Sequence, residues 1–496
     1  MKKIFYSIIL LTIISTSCKK FVDYNAHEDF ITTTADYFKT PSDYQSLVVG
    51  CYTPLQWIWA NPMIGDIASD NSVTGGENAT DVKGMQQIDD YTIVTNNSYL
   101  TEAWSSCYEG INRANYLHEN KSLLNFTGKD ALYGEVYFLR AFYYFELVKF
   151  FGGVPLFTDH RLTVSDSKAY QRATKAAVYQ QIEADLTTAI ATLPKTTTEK
   201  GRAVKASAQA LLGKVYVYEN KFDDAAAILD SVINSGVYSL VPNFQDIFLQ
   251  SGENGSESVF EVQYTNLSNQ HDYGTVNFSR SQGNLAVQYS GVRSISGSSP
   301  YAEGYSCNLP TVELSQQYTA GDTRKSATIL DIEAYKKANP SFNIGYTVAP
   351  YKNTGLYNNK YQPRKGESNS AGVVALNYLT NQRTLRYADV LLLAAEANNR
   401  ASAPNDAKAL NYLNLVRRRA FGDMLHDVAL TGSALKQLIW DERRLELAME
   451  GDRFFDLVRT GQAQAKIQGF VVGKNELFPI PQQEIDASGL AQNPNY

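Results

Sequence analysis

The chain has 496 residues, 44% of them hydrophobic and 19% charged, with a net charge of −6 and a pI near 5.6. This is a globular composition with enough apolar material for a large core. The acidic balance, with no Lys/Arg run interleaved with aromatics, excludes a polyanion-binding class. Four cysteines, Cys18, Cys51, Cys107 and Cys307, show no CxxC or ligand-like spacing, so neither a disulfide framework nor a zinc site is expected.

The first element is short and apolar. Lys2 and Lys3 precede a mostly apolar run from Ile4 to Ile14, which has the length of a secretory h-region. A bilayer span needs about twenty such residues, so this run cannot cross and stay. Ser15, Thr16 and Ser17 are small, and Cys18 follows with a nucleophilic thiol. Residues 1–17 therefore read as a bacterial lipoprotein signal, with Cys18 acylated as the new N-terminus; ordinary secretion with an incidental Cys18 is the alternative. More than one acyl chain on Cys18 would hold the protein stably to a membrane. Residues 18–40 are polar and irregular, a flexible lead.

Helical signals begin at Pro41. "PSDYQSLVVGCYTPL" opens on proline and a hydroxyl cap, and "NNSYLTEAWSSCYEGINRANYL" has apolar residues at mixed three and four spacing. Residues 133–157 are apolar almost all round and stop at Gly152, Gly153 and Pro155, as a helix covered on most sides would. In "ASAQALLGKVYVYENKFDDAAAILDSVINSGVYSL", Leu212-Gly213-x-x-Tyr216 followed by Phe222 and Ala225-Ala226 matches the tetratricopeptide pattern. A second pair recurs at 386–420, turning at Pro404-Asn405-Asp406. With helices at 98–120, 133–151 and 175–193, about four helix pairs are expected, over regions 41–240 and 376–496. Between them, residues 241–375 lose helical periodicity and read as a long insertion of loops and short strands, "ESVFEVQY" among them.

Catalytic patterns are absent: no GxSxG, HExxH, Walker or dinucleotide motif occurs, and the five histidines are scattered. No cofactor, metal or catalytic residue is assigned. Glu442, Glu446 and Glu450 fall at i, i+4 and i+8, a helical stripe that invites a glycosidase reading. Hydrolysis, however, needs carboxyls flanking the scissile bond about 5 to 9 Å apart, whereas neighbours on one helix face sit side by side. The stripe instead reads as an ion-pair network with the nearby Arg443, Arg444, Arg453 and Arg459. A sugar site needs an aromatic platform with polar partners around it. Residues 57–81 supply Trp57, Trp59, Asp66, Asp70, Asn71 and Asn78, and the insertion adds Tyr264, Tyr273, Tyr289, Tyr301 and Tyr305 as candidate contacts.

Together these pieces resemble the SusD/RagB family of outer-membrane nutrient-binding lipoproteins of Bacteroidetes. The resemblance is carried by "FLRAFYYFELVKFFGGVPL" at 138, "KASAQALLGKVYVYENKFDDAAAILDSVINSGVYSL" at 205, "RYADVLLLAAEANNR" at 386, "ALNYLNLVRRRA" at 409, "ERRLELAMEGDRFFDLVRTG" at 442 and the ending "LFPIPQQEIDASGLAQNPNY". It implies a mainly all-α, tetratricopeptide-like scaffold whose irregular insertion carries the ligand face. It also implies no catalysis, and a partner: a TonB-dependent transporter of the SusC type, to which a glycan is delivered at the cell exterior. Ser72 to Asp90 contains no aromatic where the starch-binding member has a tryptophan-rich platform, so no starch contact is carried over. The other readings are a helical-repeat scaffold that binds only proteins, and a glycoside hydrolase.

The lipid anchor has a direct test. Cys18→Ala should abolish metabolic labelling by palmitate and membrane attachment, and retention of that variant in the detergent phase would contradict the anchor.

Overall fold

The computed structural model describes residues 37–163, 166, 170–267, 282–348, 351–370 and 373–496. The signal, Cys18 and Tyr273 lie outside them. Helices dominate. α1 (Pro41–Trp57) starts where the Thr40 hydroxyl and the Asp43 carboxylate form a capping box with Pro41 in the first turn. After α2 (Ala60–Ile67) and α3 (Lys83–Asp89) comes α4 (Ser98–Glu119), whose first turn is capped by the Asn97 side chain accepting from the N–H groups of Tyr99 and Leu100. α5 (Lys129–Phe151) is buried on nearly every side, and the chain turns away at Gly152 with φ 74°.

α6 (Lys175–Thr192), α7 (Lys205–Tyr218) and α8 (Phe222–Asn234) follow. The tetratricopeptide signal at Gly213 has a steric basis: a Cβ there would lie 2.4 Å from Leu229 Cγ, so only glycine lets α7 and α8 approach this closely. Residues 241–375 contain short helices as well as loops: α9 (Leu285–Ser290), α10 (Val312–Gln317), α11 (Arg324–Thr328) and α12 (Ile332–Ala338). The chain then returns to long helices, α13 (Tyr387–Arg400), α14 (Asp406–Phe421) and α15 (Gly432–Leu447), followed by α16 (Arg453–Arg459).

The expected four pairs are present as α1 with α4, α5 with α6, α7 with α8, and α13 with α14. Neighbouring pairs join through α4 on α5, α6 on α7, and α8 on α13, and their apolar faces share one continuous core. The strands are short and antiparallel. β1 (Ser72–Val73) pairs with β3 (Leu309–Pro310), β2 (Ser258–Val262) with β6 (Gln382–Arg386), and β4 (Ile329–Asp331) with β5 (Leu356–Asn358). β2 is the strand expected in "ESVFEVQY".

The glutamate stripe is an ion-pair network, but with other partners than those nearest in sequence. α15 ends at Leu447, and Glu450 lies in the turn beyond it, between Met449 at φ 67° and Gly451 at φ 95°. Glu446, fully buried, accepts from Arg419 at 2.5 Å, Arg386 at 3.0 Å and Arg324 at 3.3 Å. Glu442 pairs with Arg324 and Arg417, both at 2.6 Å, and Glu450 with Lys360 at 2.6 Å and Arg386 at 2.7 Å. Phe244 and Phe248 lie against Lys360 and Arg386, at 4.8 to 5.8 Å from ring centroid to charge. The arginines close to the stripe serve other acids: Arg443 binds Asp389 and Asp456, Arg459 binds Glu396 and Asp456, and Arg444 and Arg453 bind Asp70.

Burial alone would raise the Glu446 carboxyl, but Arg419, Arg386 and Arg324 outweigh it and hold the group well below the usual carboxylate range. Its contribution is therefore present above the ordinary glutamate value, about 4.3. It is lost only as pH falls through the folded-state value. Glu446→Gln at neutral pH should thus cost about 3–5 kcal/mol, because the guanidiniums stay buried without their counter-charge. A urea midpoint within error of the parent would refute this.

Candidate functional site

The clearest polar, solvent-facing arrangement outside the scaffold is built by loops from two distant parts of the chain. The first follows α2. Asp66, 1% exposed, accepts from Gly451 N at 3.1 Å and from Asn308 Nδ2 at 3.3 Å, while the Ser72 hydroxyl donates to Asn308 Oδ1. Burial pushes the Asp66 carboxyl up to about 8. Asp70 is gripped by Arg453 at 2.7 Å, and Asn71 accepts from Arg444 Nε at 2.9 Å. These bonds, with β1 paired to β3, fix where the loop 74–82 leaves the body.

That loop is then shaped by its own backbone. Gly76 N donates to Ser306 O at 2.9 Å, and a Cβ on Gly75 would meet Ser306 O at 2.2 Å, so a side chain at 75 would separate the two loops. Asn78 Oδ1 accepts from Thr80 N at 2.8 Å and Asp81 N at 3.1 Å, a turn held by its own side chain. Asp81 Oδ2 accepts from Glu77 N at 2.8 Å and faces Arg293 Nη2 at 3.4 Å.

Arg293 belongs to the second loop, residues 291–306. Its Nη2 also donates to Tyr305 O at 2.7 Å, and its Nε to the Ser306 hydroxyl at 3.3 Å. Tyr289, at the end of α9, forms the floor: its ring lies 4.9 Å from Trp59 and 5.7 Å from Tyr305. Thr347 N donates to Arg293 O at 3.0 Å, and Lys352 Nζ is bound to Asp89 and Asp90 at the end of α3, both at 2.6 Å.

The sequence candidates fall at different depths. Trp57, Trp59, Asp66, Asn71, Tyr264, Tyr289 and Tyr301 are buried, and Asp70 is nearly so. Trp57 carries Arg113 on its ring at 5.0 Å, Tyr264 OH donates to Gln56 O at 3.2 Å, and Tyr301 OH donates to Asn359 Oδ1 at 3.2 Å. These side chains are engaged by the protein's own groups, Asn71 through its Oδ1 while its Nδ2 has no hydrogen-bond partner among the described residues. Asn78 is exposed and Tyr305 half-buried, so these two reach the surface. Asp81 and Arg293, whose side chains are 33% and 18% exposed, stand between them and were missed from sequence. The available signal was an isolated arginine in the Gly- and Ser-rich stretch "SGVRSISGSS". A carboxylate, a guanidinium, an amide and a phenol ring on two joined loops can donate to and accept from hydroxyls while offering an apolar plane. None of them is a nucleophile set beside a base.

Comparison with known proteins agrees with this chemistry. Residues 256–496 match the family model "SusD family", and residues 24–217 match "Starch-binding associating with outer membrane". SusD-like protein P2 of Formosa agariphila is 28% identical over 510 residues, covering 97% of this chain and 93% of that one. Among solved structures, a "Laminarin binding SusD-like protein" superposes with a TM-score of 0.83 at 34% identity, over 92% of this chain and 100% of that chain. A surface glycan-binding protein A of Bacteroides thetaiotaomicron, solved in complex with laminarihexaose, superposes with a TM-score of 0.81 at 28% identity, over 92% of this chain and 100% of that chain. With one relative at 34% identity over nearly its whole length and both halves matched by family models, the chain belongs to the SusD/RagB family, a family of non-catalytic proteins.

Proposed function

We propose that this protein is a lipid-anchored surface lipoprotein that binds an oligosaccharide and passes it to a TonB-dependent SusC-type transporter in the outer membrane. The observation that carries the binding role is the contact of Asp81 with Arg293 from loops more than two hundred residues apart, with the exposed Asn78 and the half-buried Tyr305 on the same two loops. We assign direct contact to these four side chains. Of the buried candidates, Trp59 and Tyr289 back the Tyr305 ring and Asp66, Asp70 and Asn71 fix the first loop, whereas Trp57 and Tyr301 pack elsewhere, and Tyr273 stays a candidate contact. The laminarin- and laminarihexaose-binding relatives make a β-glucan the first ligand to try. The family description "associating with outer membrane" supports the location, and the signal ending at Cys18 supports the anchor.

Calorimetric titration with laminarihexaose tests the face. A hydrogen bond to a charged group contributes about 1.5–3 kcal/mol, so Arg293→Ala should weaken binding about tenfold to a hundredfold. Tyr305→Ala should weaken it as well, with both variants melting within a few degrees of the parent. Parental affinity in Arg293→Ala would remove the loop face as the binding site.

A further inference from the structure

A second concave surface lies along α4, and it shares no residue with the loop face. Ser105, Glu109, Asn112, Arg113 and Tyr116 are the half-buried residues between Ser105 and Tyr116, and the others there are buried. They follow helical spacing and form one stripe about 16 Å long. Two cavities of about 270 and 290 Å³ open along this stripe and meet at Glu109 and Asn112, which line both. Each approaches the lower bound for small-molecule sites, and joined they fall within it.

The first cavity is lined by an aromatic row whose first three rings are buried with edges at the cavity and whose last, Tyr170, is half-buried. Ring centroids run from Trp104 to Tyr108 at 5.0 Å, from Tyr108 to Phe157 at 5.7 Å, and from Phe157 to Tyr170 at 4.1 Å, and Glu484 and Leu490 also line it. The second passes Leu47 and Gly50 of α1 to Tyr116, whose ring lies 4.1 Å from the Arg161 guanidinium. The charges are matched: Glu109 pairs with Arg113 at 2.9 Å, and Arg161 with Glu119 at 3.0 Å. Burial raises the Glu484 carboxyl above its ordinary value. Asn112 Oδ1 is used by Leu162 N at 3.0 Å, which leaves the amide NH2 as a donor.

A charged ligand would face no net counter-charge here, and a purely apolar one would strand the amide and carboxylates. A neutral ring compound with hydroxyls at its rim satisfies both the rings and the planar polar groups. We propose that this groove is a second carbohydrate site, taking a neutral pyranose oligosaccharide along α4, with sugar faces against the aromatic wall and hydroxyls held by Asn112 and Glu109. Such a site would let one molecule hold two segments of a polymer, raising its avidity through the linkage between them.

The test uses the full chain with laminarihexaose, cellohexaose and maltohexaose as probes, combining calorimetry with amide hydrogen exchange. Arg293→Ala weakens the loop face at least tenfold, and Glu109→Ala/Asn112→Ala removes the polar partners of the groove. At least one probe should still bind the Arg293→Ala protein and protect amides of residues 104–113, and adding the groove substitutions should weaken that residual binding at least tenfold. Equal binding by Arg293→Ala with and without the groove substitutions overturns the second site and leaves the loop face standing. So does protection confined to 74–82 and 291–306. Failure of all three probes to bind the parent overturns it for glucans. If the double substitution lowers the melting temperature, Tyr170→Ala at the open end of the wall replaces it, with the same tenfold expectation.

Discussion

One carboxylate, that of Glu446, sets the relation between the helical body and everything carried on it. Its partners come from three separate parts of the chain: Arg324 in the insertion, Arg386 where β6 passes into α13, and Arg419 near the end of α14. Lys360, also from the insertion, donates to the Glu446 carbonyl at 2.9 Å and to Glu450. Ion pairs this deep gain little net energy over a well-packed apolar core, because both partners lose hydration. What they impose is register. An insertion shifted by one residue would bury a guanidinium without its acid, so the network penalises every placement but one.

The same logic extends outward to the loop face. Asp70 and Asn71 are held by Arg453 and Arg444, and Asp66 meets the backbone of Gly451 in the turn just beyond α15. Glycine is required on both sides of that approach: a Cβ on Gly65 would lie 1.9 Å from Gly451 O, and one on Gly451 would lie 2.4 Å from Pro62 Cα. The segment that carries the glutamate stripe is therefore also the bracket for the loop 74–82. Dense charge in this stretch serves positioning, which is why it resembles a catalytic cluster in sequence without having the geometry of one.

Helices were legible because their periodicity and caps are local: the stop at Gly152, the turn before Phe222 and the Gly213 contact could all be read within a few residues. The pairing of α1 with α4 was not, since α2, α3 and the first face loop intervene. The ion-pair stripe was legible as a stripe, but its partners lie 27 to 122 residues from Glu446 and could not be chosen from spacing. In the site, a search led by aromatics found Trp57 and Trp59, which α1 and the start of α2 turn into the interior, because an aromatic's identity does not say which face bears it. Asp81 and Arg293 become recognisable only through each other, across 212 residues.

The pairing of β1 with β3, Ser72 opposite Pro310 and Val73 opposite Leu309, carries a consequence for how the molecule comes into being. Closing so long a loop is entropically unfavourable until other contacts have brought its ends together. The bracket that brings them together includes Arg444, Gly451 and Arg453, which lie far along the chain from both strands. Helix pairs such as α7 with α8 close over short distances and form early. The loop face is thus a late product of folding, completed only after the helix pairs and their bracket are in place. The proposed binding loops therefore take their shape only as the whole fold closes.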